Sequence, residues 1–275
     1  MDFGSFGAGF GSFGTTGGAT LPEFIGAAGA GDAPVSTGGS NDAVLHKTNG
    51  VYELKTDTHG RSGYVEGYYW KHLDISSPNY RIMKKSSDGT WSINDQNTVR
   101  YTNPATGSVP PASGWVTEAG GTAPPPTLLF NVLITEQSSL SLTNVALVSR
   151  DYGTGEVTLK STTNSSTSPK VVEFGDGTGI SDGDLYAIGY QIKDDGNVSN
   201  ASNVRFGIND FVRASSLFGG STTYRGEAWS QEFGKDRDGA DDTIDTSVGL
   251  QFNTFGSGWA TDEEITIKNL RIMIA

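Results

Sequence analysis

Apolar residues in the second half of the chain recur at every second position. Within residues 185–193, Tyr186, Ile188, Tyr190 and Ile192 share one face of an extended strand. Residues 203–208 repeat the pattern with Val204, Phe206 and Ile208, and residues 247–252 with Val248, Leu250 and Phe252. The last stretch changes parity: Ile265 and Ile267 fall on one side, Leu270, Ile272 and Ile274 on the other. A bulge near Asn269 would return all five to one face. Turn sequences such as Asp194-Asp195-Gly196-Asn197 and Phe218-Gly219-Gly220-Ser221 separate the runs. About nine short strands are expected over residues 130–275, enough for a two-sheet jelly-roll sandwich.

Residues 46–129 differ. Aromatics cluster here, and residues 80–93 read as a hairpin, with Ser86-Ser87-Asp88-Gly89-Thr90 turning between Ile82–Met83 and Trp91–Ile93. The block ends in Pro124-Pro125-Pro126, a stiff run that suits a domain boundary. Residues 1–45 form a third block of Gly, Ala, Ser and Thr without Lys or Arg. Phe3, Phe6, Phe10 and Phe13 stand among glycines there, too few large apolar side chains to offset the cost of ordering the backbone. One turn of helix is expected near Pro22–Ile25. The rest reads as an extended arm that gains its order by docking its phenylalanines on a neighbouring protein. Long 3.6-residue stripes are missing throughout. The expected fold is all-β: an arm (1–45), a small aromatic-rich β module (46–129) and a C-terminal sandwich (130–275).

Composition narrows the function. The 275 residues carry a net charge of −12, which repels phosphate and argues against nucleic-acid binding. There is no cysteine, hence no disulfide framework and no thiolate metal site. No apolar run is long enough to span a bilayer. The first basic residue is Lys47, so no secretory leader is read and synthesis in a cytoplasm is expected.

Two resemblances follow from particular residues. Asn49, Gly50 and Tyr52, then Gly60, Arg61 and Tyr64, then Trp91, and finally Gly114, Trp115, Gly121, Pro124, Pro126 and Thr127 form a pattern. It resembles a small module found in tail and other structural proteins of bacteriophages, which usually has Pro after its Arg where this chain has Ser62 and Gly63. Residues 130–275 look like the jelly-roll sandwich of carbohydrate-binding modules. The carriers are residues 185–193, 224–233 and 265–275. Together the resemblances imply a virion structural protein, a tail fibre or spike-like component. Residues 1–45 would join it to other virion proteins, and an outward domain would face host-surface polysaccharide. They further imply a homo-oligomer, with a trimer favoured, at the virion surface. The same-class alternative is a capsid decoration or cement protein, or a head fibre. Alternatives of another class are a soluble carbohydrate-binding module and a polysaccharide-degrading enzyme.

Sugar recognition needs an aromatic face for the C–H side of a pyranose and polar groups for its hydroxyls. The candidates are Tyr224, Arg225, Trp229, Trp259, Asn209 and Asp210. Tyr224 and Trp229 differ in strand parity, so they share a groove only across a bulge. Bent acidic stretches with glycine suit calcium, which gives Asp236, Asp238, Asp241 and Asp242, with Asp245 nearby, and secondarily Asp176, Asp182 and Asp184. His46, His59 and His72, each thirteen residues from the next, are read as surface or hydrogen-bonded histidines rather than zinc ligands. Glu227 and Glu232 lie five residues apart and so on opposite strand faces, which leaves no glycosidase pair and no candidate catalytic residue.

Overall fold

The computed structural model describes residues 15–16, 19–31, 48–74, 79–164, 170–175, 184–198, 204–207, 213–215, 222–232, 251–254 and 259–275. All regular structure among them is β. A short ribbon, β1 (Thr15–Thr16) with β2 (Ala19–Thr20), leads into an eight-stranded antiparallel sheet. Its strands are β3 (Phe24–Ala28), β4 (Gly50–Lys55), β5 (Tyr69–His72), β6 (Tyr80–Lys84), β7 (Trp91–Asp95), β8 (Thr98–Asn103), β9 (Val116–Thr117) and β10 (Thr127–Leu129). Their order is β10-β3-β4-β5-β6-β7-β8-β9. The sheet curls around an aromatic core in which Trp70, Trp91, Tyr52, Tyr101 and Trp115 pack with Ile25, Ile82, Ile93 and Leu128. Gly89 takes a positive φ in the β6–β7 turn, where Asp88 Oδ1 accepts from Thr90 N–H at 2.9 Å, as the Asp-Gly signal required.

The remaining strands form two facing sheets. One holds β13 (Val145–Asp151), β14 (Glu156–Ser161), β21 (Glu264–Ile274), β16 (Leu185–Asp194) and β19 (Arg225–Glu232) in that order, with β11 (Asn131–Thr135) also paired to β21. The other holds β12 (Leu140–Thr143), β15 (Lys170–Phe174), β20 (Gln251–Thr254), β17 (Val204–Gly207) and β18 (Arg213–Ser215). Val172 and Phe174 of β15 meet Tyr186, Ile188, Tyr190 and Ile192 of β16 in the core between them. Asn269 adopts φ +54°, and Ile265, Ile267, Leu270, Ile272 and Ile274 all reach this one core. The bulge expected from the parity switch is therefore present.

The six-stranded sheet is covered on its other face as well. Ala187, Ala228 and Met273 pack against Phe24, Ala28, Val51, Leu73 and Leu129 of the curled sheet. The approach is close because the residues are small. A Cβ on Gly189 would come within 2.6 Å of Val51 Cβ, and one on Gly226 would overlap the Leu73 carbonyl. Across the seam the Arg271 guanidinium lies 4.3 Å from the Phe24 ring centroid and donates through Nη1 to Glu136 Oε2 at 2.6 Å.

This seam corrects the expectation of an arm for part of residues 1–45. Residues 21–31 pack on their own chain. β3 sits between β10 and β4, fully inside the sheet, and it replaces the helical turn expected near Pro22–Ile25. Three side-chain and backbone clamps hold the segment. The Asn49 amide accepts from Ala30 N–H and donates to Ala30 O, both at 3.0 Å. Trp70 Nε1 donates to Pro22 O at 2.8 Å, and Gly31 N–H donates to Pro124 O at 2.7 Å. The Pro124–Pro126 run thus carries the chain back to β3 before β10 instead of leading away from the sheet. Phe3, Phe6, Phe10 and Phe13 lie outside the described residues.

Gly189→Val should force the seam apart and lower the unfolding free energy by about 1–3 kcal/mol, read by urea denaturation with tryptophan fluorescence. Gly107→Ala, in an open loop where a Cβ meets nothing nearer than 3.6 Å, should leave the curve unchanged.

Candidate functional site

The curled sheet covers only part of the outer face of the six-stranded sheet. Its rim stands at Leu73, beside Gly226 and Gln191. Beyond that rim the outer-facing residues are polar. β14 contributes Glu156, Thr158 and Lys160, β21 contributes Glu264, Thr266 and Lys268, and β16 contributes Gln191 and Lys193. The first two sets come from matching pentapeptides, Glu-Val-Thr-Leu-Lys and Glu-Ile-Thr-Ile-Lys. They run antiparallel, so Glu156 lies opposite Lys268, Thr158 opposite Thr266 and Lys160 opposite Glu264. Opposite charges thus share register positions, the two threonine hydroxyls bond at 3.1 Å, and Lys160 Nζ donates to Asp262 Oδ1 at 3.1 Å. The Asn269 amide donates to Gln191 Oε1 at 2.8 Å, which ties the bulge to β16.

Among the described residues Tyr224 is the aromatic element of this face. It immediately precedes β19, and its half-buried ring lies across β16 and β21. Lys193 Nζ stands 4.5 Å and Lys268 Nζ 5.8 Å from the ring centroid. The ring reaches far enough that the Glu156 carboxylate on β14 bears on its hydroxyl. Burial, and then that carboxylate, hold the phenol well above the ordinary tyrosine range. The face thus offers one aromatic ring with ammonium, amide, hydroxyl and carboxylate groups around it, bounded on one side by the wall of the curled sheet.

Among the described residues expected from sequence, Tyr224 is brought to this face. Arg225 is half-buried and pairs with Ile192, whose side chain enters the core, so alternation turns it away from Tyr224. Trp229 occupies the β19 position opposite Ile188. Trp259 is a correction: it is 1% exposed, part of the sandwich core, and its Nε1 donates to Glu263 O at 2.7 Å. An isolated tryptophan flanked by Gly and Ala looks exposed in sequence, but the core needed a large side chain to plug its end. Asn209 and Asp210 lie outside the described residues, as do Asp176, Asp182, Asp236, Asp238, Asp241 and Asp242 proposed for calcium. Among the described residues no group of three or more His, Asp or Glu is placed to hold a metal ion. His59 and His72 are both hydrogen-bonded: His72 Nε2 lies 2.9 Å from Asn49 O and its Nδ1 accepts from Asp74 N–H at 3.2 Å. Glu227 and Glu232 pair with Tyr190 and Leu185, register positions of opposite parity.

No family model matches the chain, and no curated protein matches it. Solved structures with a related arrangement of strands include an arabinose-bound α-L-arabinofuranosidase, at TM-score 0.41 and 10% identity. That match covers 53% of this chain and spans only 27% of the arabinofuranosidase. A family 29 carbohydrate-binding module complexed with cellulohexaose matches at TM-score 0.31 and 12% identity, over 52% of this chain and 89% of the module. The N-terminal cellulose-binding domain of a Cellulomonas fimi β-1,4-glucanase matches at TM-score 0.31 and 13% identity, over 52% of this chain and 94% of the domain.

Two measurements check these placements. Trp259→Ala should cost about 3–5 kcal/mol of stability by leaving a cavity. Spectrophotometric titration should show the Tyr224 and Tyr186 phenols still protonated at the pH, about 10, where an unperturbed tyrosine phenol ionises. Their folded pKa values lie above the unfolded value, so the unfolded chain ionises first. Their contribution to stability is complete below about pH 10 and is lost as the pH rises beyond it.

Proposed function

We propose that the chain is a carbohydrate-binding protein whose sandwich presents the Tyr224 face to a polysaccharide. The observation that carries this reading is a half-buried aromatic ring lying across a polar sheet face among Lys193, Lys268, Gln191, Asn269, Thr158 and Glu156. An aromatic ring receives the apolar C–H side of a sugar ring, and the surrounding donors and acceptors exchange water for sugar hydroxyls. The paired groups on the face are held in place before a ligand arrives, which limits the ordering cost of binding. The role is binding rather than catalysis.

The virion reading rested on an arm that needs a neighbour to become ordered. Residues 21–31 are ordered by their own chain, which removes that argument for this stretch. Attachment through residues 1–14 is retained as a proposal on the phenylalanine spacing alone.

The test is a glycan array followed by affinity electrophoresis in soluble polysaccharides. Wild-type protein should be retarded by at least one polysaccharide. Tyr224→Phe keeps the ring and should keep the retardation, while Tyr224→Ala should weaken binding by about tenfold or more. Undiminished binding by Tyr224→Ala, or a flat array with wild type, contradicts the assignment.

A further inference from the structure

Away from the sandwich, the outer side of the curled sheet brings two arginines together. Residues 56–68 leave β4 and fold back over β5 and β6, turning at Gly60 and Gly63, both at positive φ. His59 pins this segment. Its side chain is completely buried and meets Tyr69 edge-on, with centroids 5.5 Å apart. Its Nδ1 accepts from Arg61 N–H at 3.0 Å, so Nε2 carries the proton and donates to Val65 O at 3.0 Å.

Arg61 is thereby fixed above β6, and Arg81 rises from β6 itself. Arg81 Nη1 donates to His59 O at 3.2 Å, and its guanidinium lies 5.1 Å from the Tyr69 ring centroid. Arg61 Nη2 donates to Asn79 O at 3.4 Å, two residues before Arg81. The two cations lie in each other's field: burial, then Arg81, hold the Arg61 guanidinium below the usual arginine range. The carboxylates close by are engaged elsewhere. Asp95 accepts from Arg100 Nη2 at 2.8 Å, Glu66 accepts from His59 N–H at 3.2 Å, and Asp57 lies against the Tyr69 hydroxyl. Among the described residues no carboxylate within 4.0 Å pairs with Arg61 or Arg81. Each guanidinium uses Nη1 or Nη2 on a carbonyl; Arg81 Nε–H is buried without a hydrogen-bond partner, which leaves the remaining Nη–H groups for a further acceptor.

Like charges held together with no carboxylate in ion-pair contact favour an anion between them, although Asp95 lies within the field of Arg61, and guanidinium forks bind oxoanions in bidentate fashion. A tetrahedral oxoanion has oxygens enough for two guanidiniums at once. We propose that Arg61 and Arg81 form a binding site for a tetrahedral oxoanion, either free in solution or carried as a sulfate ester on a polysaccharide. The site lies on the curled sheet and does not depend on the Tyr224 face.

The experiment uses the full chain and two probes. Sodium sulfate is titrated against sodium chloride at constant ionic strength, and dextran sulfate against dextran, by calorimetry and by backbone amide shifts at Gly60, Arg61 and Gly63. Saturable binding of sulfate, with shifts confined to this segment, is expected. Binding of dextran sulfate alone would assign the site to the esterified form. Arg61→Gln should weaken whichever probe binds by about tenfold or more. Arg61→Lys should recover only part of that loss, because it keeps the charge without the fork. Lys55→Gln, paired to Glu53 on β4, should leave binding unchanged. Arg81→Gln can disturb the segment through His59, so Arg61→Gln decides the matter. Failure of both probes to bind wild type beyond their controls, or equal binding by Arg61→Gln, overturns the proposal.

Discussion

The structure depends on one close contact between two sheets. β16 has its bulky residues on the sandwich side and its smallest on the other, where Ala187 and Gly189 receive Val51, Leu73 and Phe24 from the curled sheet. Gly226 and Ala228 of β19 extend the small surface and Met273 of β21 completes it. Apolar burial on both faces of one sheet turns a sandwich and a curled sheet into three stacked layers. The arrangement leaves no room for a side chain at the crossing points, so the contact is set by what the residues lack. The Arg271–Glu136 pair under Phe24 closes the edge, and its desolvation is offset by short-range hydrogen bonding and by the aromatic ring.

That seam also creates the candidate binding face. Among the described residues the curled sheet covers the small residues up to Leu73, and the polar half of the same sheet lies beside that wall. Tyr224 lies in this polar half. Its neighbours are arranged by strand register: matching pentapeptides placed antiparallel bring Glu156 to Lys268 and Lys160 to Glu264. A one-residue slip would turn these charges into the core, so the core and the face enforce the same register. The arginine pair sits apart, on a segment whose geometry is dictated by the buried His59 ring.

Much of the sandwich was legible in the sequence. Alternation in residues 185–193 named the core residues of β16, and the parity switch at Asn269 located a bulge that the φ of that residue confirms. β3 was not legible. Phe-Ile-Gly-Ala-Ala alternates poorly because both of its faces are buried against small or flat surfaces, and a strand buried on both sides loses the period-two signal. Its flanks looked like linker because the groups that hold it, Asn49, Trp70 and Pro124, come from distant parts of the chain. For the candidate face, the repeated Glu-x-Thr-x-Lys pattern was the available signal, since each copy marks a strand with a polar outer side. Aromatic character alone does not separate a binding platform from Trp259, which fills the core.

Hydrogen–deuterium exchange on the intact chain tests most directly whether these layers form one body. If they do, amides of β3 exchange as slowly as those of β16 and open together with them under mild denaturant. If β3 amides exchange within seconds while β16 stays protected, the seam does not hold the chain together and the account fails.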